Sequence, residues 1–141
     1  MHLGTPIRNG LENILKALRG SAKGRLVTVF GCGGDRDRTK RPKMGAIAAE
    51  YADYCIVTSD NPRSEKPQSI IDDILEGMKD CKKPVEAIVS RIDAIKKAVQ
   101  IAVKGDIIVL AGKGHETYQI LSTGTIHLDE REIVAEALTE I

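Results

Sequence analysis

Arg25-Leu-Val-Thr-Val-Phe30 runs without a break into Gly31-Cys-Gly-Gly34. The first part is apolar and β-branched and too short for a helix, so it reads as a buried strand; the second turns the chain sharply. The same figure recurs three times. Tyr54-Cys-Ile-Val-Thr58 leads into Ser59-Asp-Asn-Pro-Arg63, Val85 to Val89 leads into Ser90, and Asp106-Ile-Ile-Val-Leu-Ala111 leads into Gly112-Lys-Gly-His-Glu116. Between these runs the apolar residues take helical spacing. Leu11, Ile14, Leu15 and Leu18 follow Asn9, with Glu12 placed as in a capping box. Met44, Ile47, Ala48 and Tyr51 follow Pro42, and Ile70, Ile71, Ile74, Leu75 and Met78 follow Pro67, each proline suiting a first helical turn. Ser90 with Asp93 caps a helix displaying Ile92, Ile95, Val99 and Val103, and Asp129 opens a last one carrying Ile133, Val134, Ala137 and Leu138. Gln119 to Leu121 and Thr125 to His127 form a hairpin pattern around Ser122-Thr-Gly124.

Continuous apolar strands alternating with amphipathic helices predict one α/β domain over residues 1–141. The expected architecture is a doubly wound, mostly parallel, Rossmann-like sheet with helices on both faces and a C-terminal β-hairpin adding an edge strand of opposite sense. In such sheets ligands bind beyond the carboxyl ends of the strands. The three most polar, glycine-bearing loops (31–43, 59–65 and 112–116) all leave strand ends of that kind. Chemistry is therefore expected along one edge.

Composition narrows the classes. Twenty-one basic residues against twenty acidic ones leave almost no net charge, which disfavours nucleic acid or an anionic membrane as the main partner. No apolar run approaches the roughly 20 residues of a membrane span, and no signal-peptide pattern opens the chain. Three scattered cysteines (Cys32, Cys55, Cys81) give neither a disulfide framework nor metal-ligand spacing, so a reducing cytoplasm is the simplest setting.

Asp60-Asn61-Pro62-Arg63 carries a carboxylate, an amide and a guanidinium around a rigid proline. An Arg fork matches the two oxygens of a carboxylate, and Asp60 suits an ammonium, so a small amino-acid-like zwitterion is the first expectation. Taken alone, the tetrapeptide is also a good turn with a helix cap. The glycine loop meets neither a dinucleotide fingerprint, which needs Gly where Arg36 stands, nor a Gly-x4-Gly-Lys-Ser/Thr phosphate loop. Its following charges (Arg36, Arg38, Lys40, Arg41, Lys43) read alone as a solvated basic loop with Asp35 and Asp37 as local partners. Arg36, nearest the strand end, is the candidate ligand contact. His115 beside Glu116 lacks a second His or Cys at ligand spacing, so metal binding is disfavoured. Cys32 between glycines reads as a small packing residue rather than a nucleophile. Glu116 as acceptor for a ligand ammonium is the better use of that loop.

Val29-Phe-Gly-Cys-Gly-Gly-Asp-Arg-Asp37, Lys40-Arg-Pro-Lys-Met-Gly45, Thr58-Ser-Asp-Asn-Pro-Arg63 and Ala111-Gly-Lys-Gly-His-Glu116, in this order and spacing, resemble the carboxy-terminal domain of a Mur ligase. The resemblance runs from about Leu11 to the end. It implies an ATP-dependent, amide-forming ligase of peptidoglycan synthesis, in which this domain receives the incoming amino acid. By motif, Arg36, Asp60, Asn61, Pro62, Arg63, Gly112 and Glu116 would line its pocket, with no catalytic residue of its own. The amino acid implied is meso-2,6-diaminopimelate, and UDP-MurNAc-L-Ala-D-Glu, ATP and Mg2+ would be held by the UDP-sugar and central ATPase domains, whose motifs this sequence does not contain. An isolated domain of this kind should not catalyse amide formation. The family's usual opening Asp-Tyr-Ala-His-Thr-Pro is here Met1-His-Leu-Gly-Thr-Pro6, keeping only Thr-Pro. A free-standing amino-acid-binding module, a nucleotide- or phosphate-binding domain and a lysine-adding ligase stand as the alternatives.

Overall fold

The computed structural model describes residues 7–111 and 118–139. Four parallel strands, β1 (Leu26–Phe30), β2 (Tyr54–Val57), β3 (Val85–Ala87) and β4 (Ile107–Leu110), form one sheet in the order β3-β2-β1-β4. β1 sits inside the sheet and all five of its residues are buried. This is why it reads as an unbroken apolar run: both of its faces are covered.

The two faces follow from strand alternation. Leu26 and Phe30 of β1 join Cys55 and Val57 of β2 in a core with α1 (Ile7–Ser21), α2 (Lys40–Tyr51) and α3 (Pro67–Glu76). Val27, Val29 and Ile56 point the other way, onto α4 (Arg91–Ile101) and α5 (Glu130–Thr139) through Ala94, Ile95, Ala98, Leu128 and Ile133. Helices α2 and α3 cross closely because Gly45 leaves room for the Ile74 carbonyl, which an added Cβ would overlap.

Local signals hold at most element ends. Pro67 is the first residue of α3, and the Asp93 N–H donates to Ser90 Oγ at 3.2 Å at the start of α4. Helix α1 begins at Ile7, ahead of the expected Asn9 cap, so Asn9 lies inside it. β3 is trimmed to three residues, its outer edge being unpaired among the described residues.

The hairpin forms from β5 (Tyr118–Leu121) and β6 (Gly124–His127), with Gly124 at a φ of 131° that favours glycine. Among the described residues it is a sheet of its own rather than an edge strand of the parallel sheet. Its bonds go elsewhere, to the loop that follows β2.

No helix among the described residues is long and apolar enough to cross a membrane.

Candidate functional site

At the carboxyl ends of β1 and β2 two loops are stitched together. The Gly34 N–H donates to the Asn61 carbonyl at 2.7 Å, and an added Cβ at Gly34 would overlap the Pro62 carbonyl. Only a glycine lets the loops approach this closely. Arg63 then folds back across the seam: its Nη1 donates to the carbonyls of Gly34 and Asn61, each at 3.2 Å.

Two non-glycine residues of the described chain hold left-handed backbone, Asp35 at φ 55° and Arg63 at φ 53°. Each conformation costs of order 1 kcal/mol or more and persists only where surrounding bonds impose it. Those bonds are present. The Asp35 carboxylate accepts from Ser64 Oγ at 2.6 Å, the Asp35 N–H donates to Glu65, and the Arg63 N–H donates to the Ile120 carbonyl at 3.1 Å.

Arg36 and Arg63 converge on Gly33. A Cβ placed there would lie 2.9 Å from Arg63 Nη1 and 3.5 Å from Arg36 Cγ. Arg36 is exposed and, with Cys32, Gly33, Lys40 and Met44, borders a cleft of about 170 Å³. Arg36 and Arg63 thus flank Gly33, and Asp60, Asn61 and Pro62 belong to the loop that carries Arg63. Gly112 and Glu116, with His115, lie outside the described residues.

Two residues of the tetrapeptide also make bonds within the protein. Asn61 is buried, and its Oδ1 accepts the Ile120 N–H at 2.9 Å, so its carbonyl end is committed to the hairpin. Pro62 contributes its backbone carbonyl, which packs on Gly34 and accepts from the Glu65 N–H at 3.0 Å.

Arg41 is not part of a solvated loop. It is 1% exposed, and its fork grips both Glu65 oxygens (Nη2–Oε1 2.9 Å, Nη1–Oε2 3.0 Å), Asp73 Oδ2 at 3.0 Å and the Gly33 carbonyl at 3.1 Å. Asp73 also accepts from Arg38. Hydrogen bonding to Arg41 lowers the Glu65 pKa, and to Arg38 and then Arg41 that of Asp73. Of the expected local partners, Asp37 binds Thr39, while Asp35 reaches across to Ser64.

A second buried arginine escaped the sequence reading. Arg91, 1% exposed at the start of α4, donates to the Ser59 carbonyl (3.1 Å), the Ala111 carbonyl (2.9 Å) and Glu130 Oε2 (2.7 Å). It ties the ends of β2 and β4 to the first turn of α5. A cation at a helix N-terminus opposes the helix dipole, which was the one available hint that this side chain has acceptors elsewhere.

The Cys32 thiol is buried, and burial pushes it up to about 12, the reverse of an activated thiolate. Among the described residues no three His, Cys, Asp or Glu side chains converge as a metal site would require.

The Arg36 and Arg63 side chains thus flank Gly33 at the strand ends of an α/β domain, the edge where ligands bind in such sheets. Residues 8–114 match the family profile described as Mur ligase, glutamate ligase domain. The chain belongs to the Mur ligase family. It is 56% identical over 133 residues to UDP-N-acetylmuramoyl-L-alanyl-D-glutamate--2,6-diaminopimelate ligase 1 of Clostridium acetobutylicum, covering 94% of this chain and 27% of that protein. To the ligase of the same name, without the numeral, from Trichormus variabilis it is 59% identical over 132 residues, again 94% of this chain and 26% of the relative. A solved structure of a UDP-N-acetylmuramoyl-L-alanyl-D-glutamate--2,6-diaminopimelate ligase superposes with a TM-score of 0.90 at 40% identity, covering 95% of this chain and 28% of the other. The chain spans about a quarter of the length of the curated relatives it matches.

Proposed function

We propose that this chain is the amino-acid-receiving domain of an ATP-dependent ligase that joins meso-2,6-diaminopimelate to UDP-N-acetylmuramoyl-L-alanyl-D-glutamate in peptidoglycan synthesis. The names of its relatives support the reaction. The observation that carries the substrate is Arg63. Its backbone is strained and its Nη1 is fixed on the carbonyls of Gly34 and Asn61, so the guanidinium is pre-set beside Arg36 rather than free to wander. Diaminopimelate carries an amino-acid group at each end and needs two carboxylate clamps. Lysine lacks the distal carboxylate and would leave Arg63 charged with its acceptor missing, which disfavours it.

On this reading the domain's share of the reaction is placement. ATP phosphorylates the glutamate carboxylate of the nucleotide precursor, releasing ADP; the amine of diaminopimelate attacks the acyl phosphate, and an amide forms with release of phosphate. Arg36 and Arg63 hold carboxylates, Asp60 and Glu116 accept from ammonium, and Gly112 lets the backbone come close. Positioning of this sort is worth several orders of magnitude in rate. On this reading ATP and Mg2+ are held mainly outside this span, in keeping with the lack of a Gly-x4-Gly-Lys-Ser/Thr loop in the sequence. Those ligands belong to the three-quarters of the relatives' length outside this span.

Titrating the 15N-labelled chain with meso-diaminopimelate, lysine and ATP in parallel tests the proposal. Diaminopimelate should move the amides of Gly33, Gly34, Asn61 and Arg63, lysine should move them far less, and Arg63→Ala should abolish the difference. Equal responses to lysine, or a response there to ATP alone, would reject it.

A further inference from the structure

The loop that carries Arg63 is fastened from a distance. Gln119 of β5 is 4% exposed, and its Nε2 donates to Ser59 Oγ at 2.9 Å and to the Asp60 carbonyl at 2.6 Å. Next to it, Ile120 exchanges both of its backbone groups with the same loop, N–H to Asn61 Oδ1 and carbonyl from the Arg63 N–H. Ser59 Oγ donates in turn to the Val89 carbonyl at 2.8 Å. The direction of this chain is fixed by its ends. Val89 and Asp60 offer carbonyls, which only accept, so Ser59 must give its proton to Val89 and the Gln119 amide must present N–H to both remaining acceptors.

Resting on the proposed function, we infer that Gln119 is a positioning residue for the amino acid: it sets the height and angle of the loop bearing Asp60, Asn61 and Arg63. Left-handed backbone at Arg63 does not persist unaided. Of the bonds that hold the loop, those from Gln119 and Ile120 come from outside the parallel sheet, and the Gln119 side chain makes its pair in a buried place where water cannot replace them. A glutamine there reads from sequence as an ordinary strand residue. The same position filled by a carboxylate would turn an acceptor toward the Asp60 carbonyl and toward the lone pairs of Ser59.

That substitution supplies the test. Gln119→Glu preserves shape and removes both donated bonds while the carboxyl is ionised; once protonated, its O–H restores one donor. Diaminopimelate affinity of the variant should therefore be about tenfold below wild type at pH 8 and recover part of that loss toward pH 5.5. Wild type titrated over the same range subtracts whatever Asp60, Arg63, Arg91 and Glu130, the ionisable groups of this cluster, contribute. Protection of the Arg63 and Ile120 amides, corrected for the intrinsic pH dependence of exchange, should fall and recover in step with affinity while protection of β1 core amides such as Val29 does not, a local pattern that loss of global stability would not give. Gln119→Asn, whose amide falls one methylene short, should lose affinity with no added pH dependence, and it serves if the glutamate variant does not fold. Wild-type affinity and unchanged Arg63 exchange in either folded variant would overturn the inference. Wild type failing to bind diaminopimelate would instead count against the proposed function.

Discussion

Arg41 and Glu65 face each other fork to fork, with N–O distances of 2.9 and 3.0 Å, and this pair joins the first turn of α2 to the loop after β2. The guanidinium is nearly inaccessible, whereas the Glu65 side chain is 24% and the Asp73 side chain 23% exposed. The carboxylates therefore remain partly hydrated and the arginine does not. Removing the cation strands two partly solvated anions; removing one anion leaves a buried cation with fewer acceptors. Arg41 Nε already lacks a partner among the described residues. Arg41→Leu should lower the unfolding free energy by about 3 kcal/mol, the lower end for breaking a buried pair. Urea titration followed by far-UV circular dichroism checks it.

The same pair gives the protein an acid limit. Glu65, Asp73 and Asp106 are held below their usual carboxylate pKa values, chiefly by hydrogen bonds from Arg41, Arg38 and Arg25 respectively. A depressed folded pKa means the unfolded chain takes up protons first, so this stabilisation is complete above the unfolded values near 4. It is lost as pH falls through the folded ones. From these carboxylates, stability should fall steadily below about pH 4.5. Glu65→Gln should make that acid slope shallower. An unaltered slope would show that other carboxylates govern it.

Gly34→Ala tests the seam between the loops. The new methyl would overlap the Pro62 carbonyl, and the two strand-end loops must part to admit it. A loss of about 1–3 kcal/mol in stability is expected, as for other overpacked sites. Diaminopimelate binding should fall further than stability does, because Arg63 Nη1 is anchored on the same residue's carbonyl.

Arg63→Gly separates folding from recognition. Glycine relieves the left-handed backbone at φ 53° but forfeits the bonds from Nη1 to Gly34 and Asn61. These effects oppose each other at similar size, so stability should change by less than about 1 kcal/mol. Diaminopimelate should no longer shift the Gly33 and Gly34 amides. A large stability loss would mean that the arginine is there for the fold.

Thiol labelling offers a check on the core. Cys32 and Cys55 are buried, and burial pushes both thiols up to about 12. Ellman's reagent at pH 8 should modify Cys81, which is partly exposed, and reach the other two only at the rate of unfolding.

Most of the architecture could be read from period and punctuation. Val27 and Val29 alternate with Leu26 and Phe30 between two covered faces, and Pro67 and Ser90 mark helix starts, because these are local effects of backbone geometry and capping. The convergence of Arg36 on Arg63 followed from the rule that strand ends share an edge. What stayed hidden depends on partners far along the chain. Arg41 looked like one of five surface cations because nothing local distinguishes a guanidinium that meets Glu65 and Asp73 from one that meets water. Gln119 gave no signal for the same reason, and Arg91 only its place at a helix N-terminus. Nor did the sequence signal that Asn61 Oδ1 accepts from the Ile120 N–H. The hairpin was expected on the sheet edge, and its hydrogen-bonding needs are met instead by the loop after β2.

The hairpin's grip on residues 59–63 also has a consequence for biosynthesis. All four sheet strands precede residue 111, whereas the groups that fasten the Arg63 turn belong to Gln119 and Ile120. During synthesis, therefore, that turn cannot be fastened until the hairpin has left the ribosome.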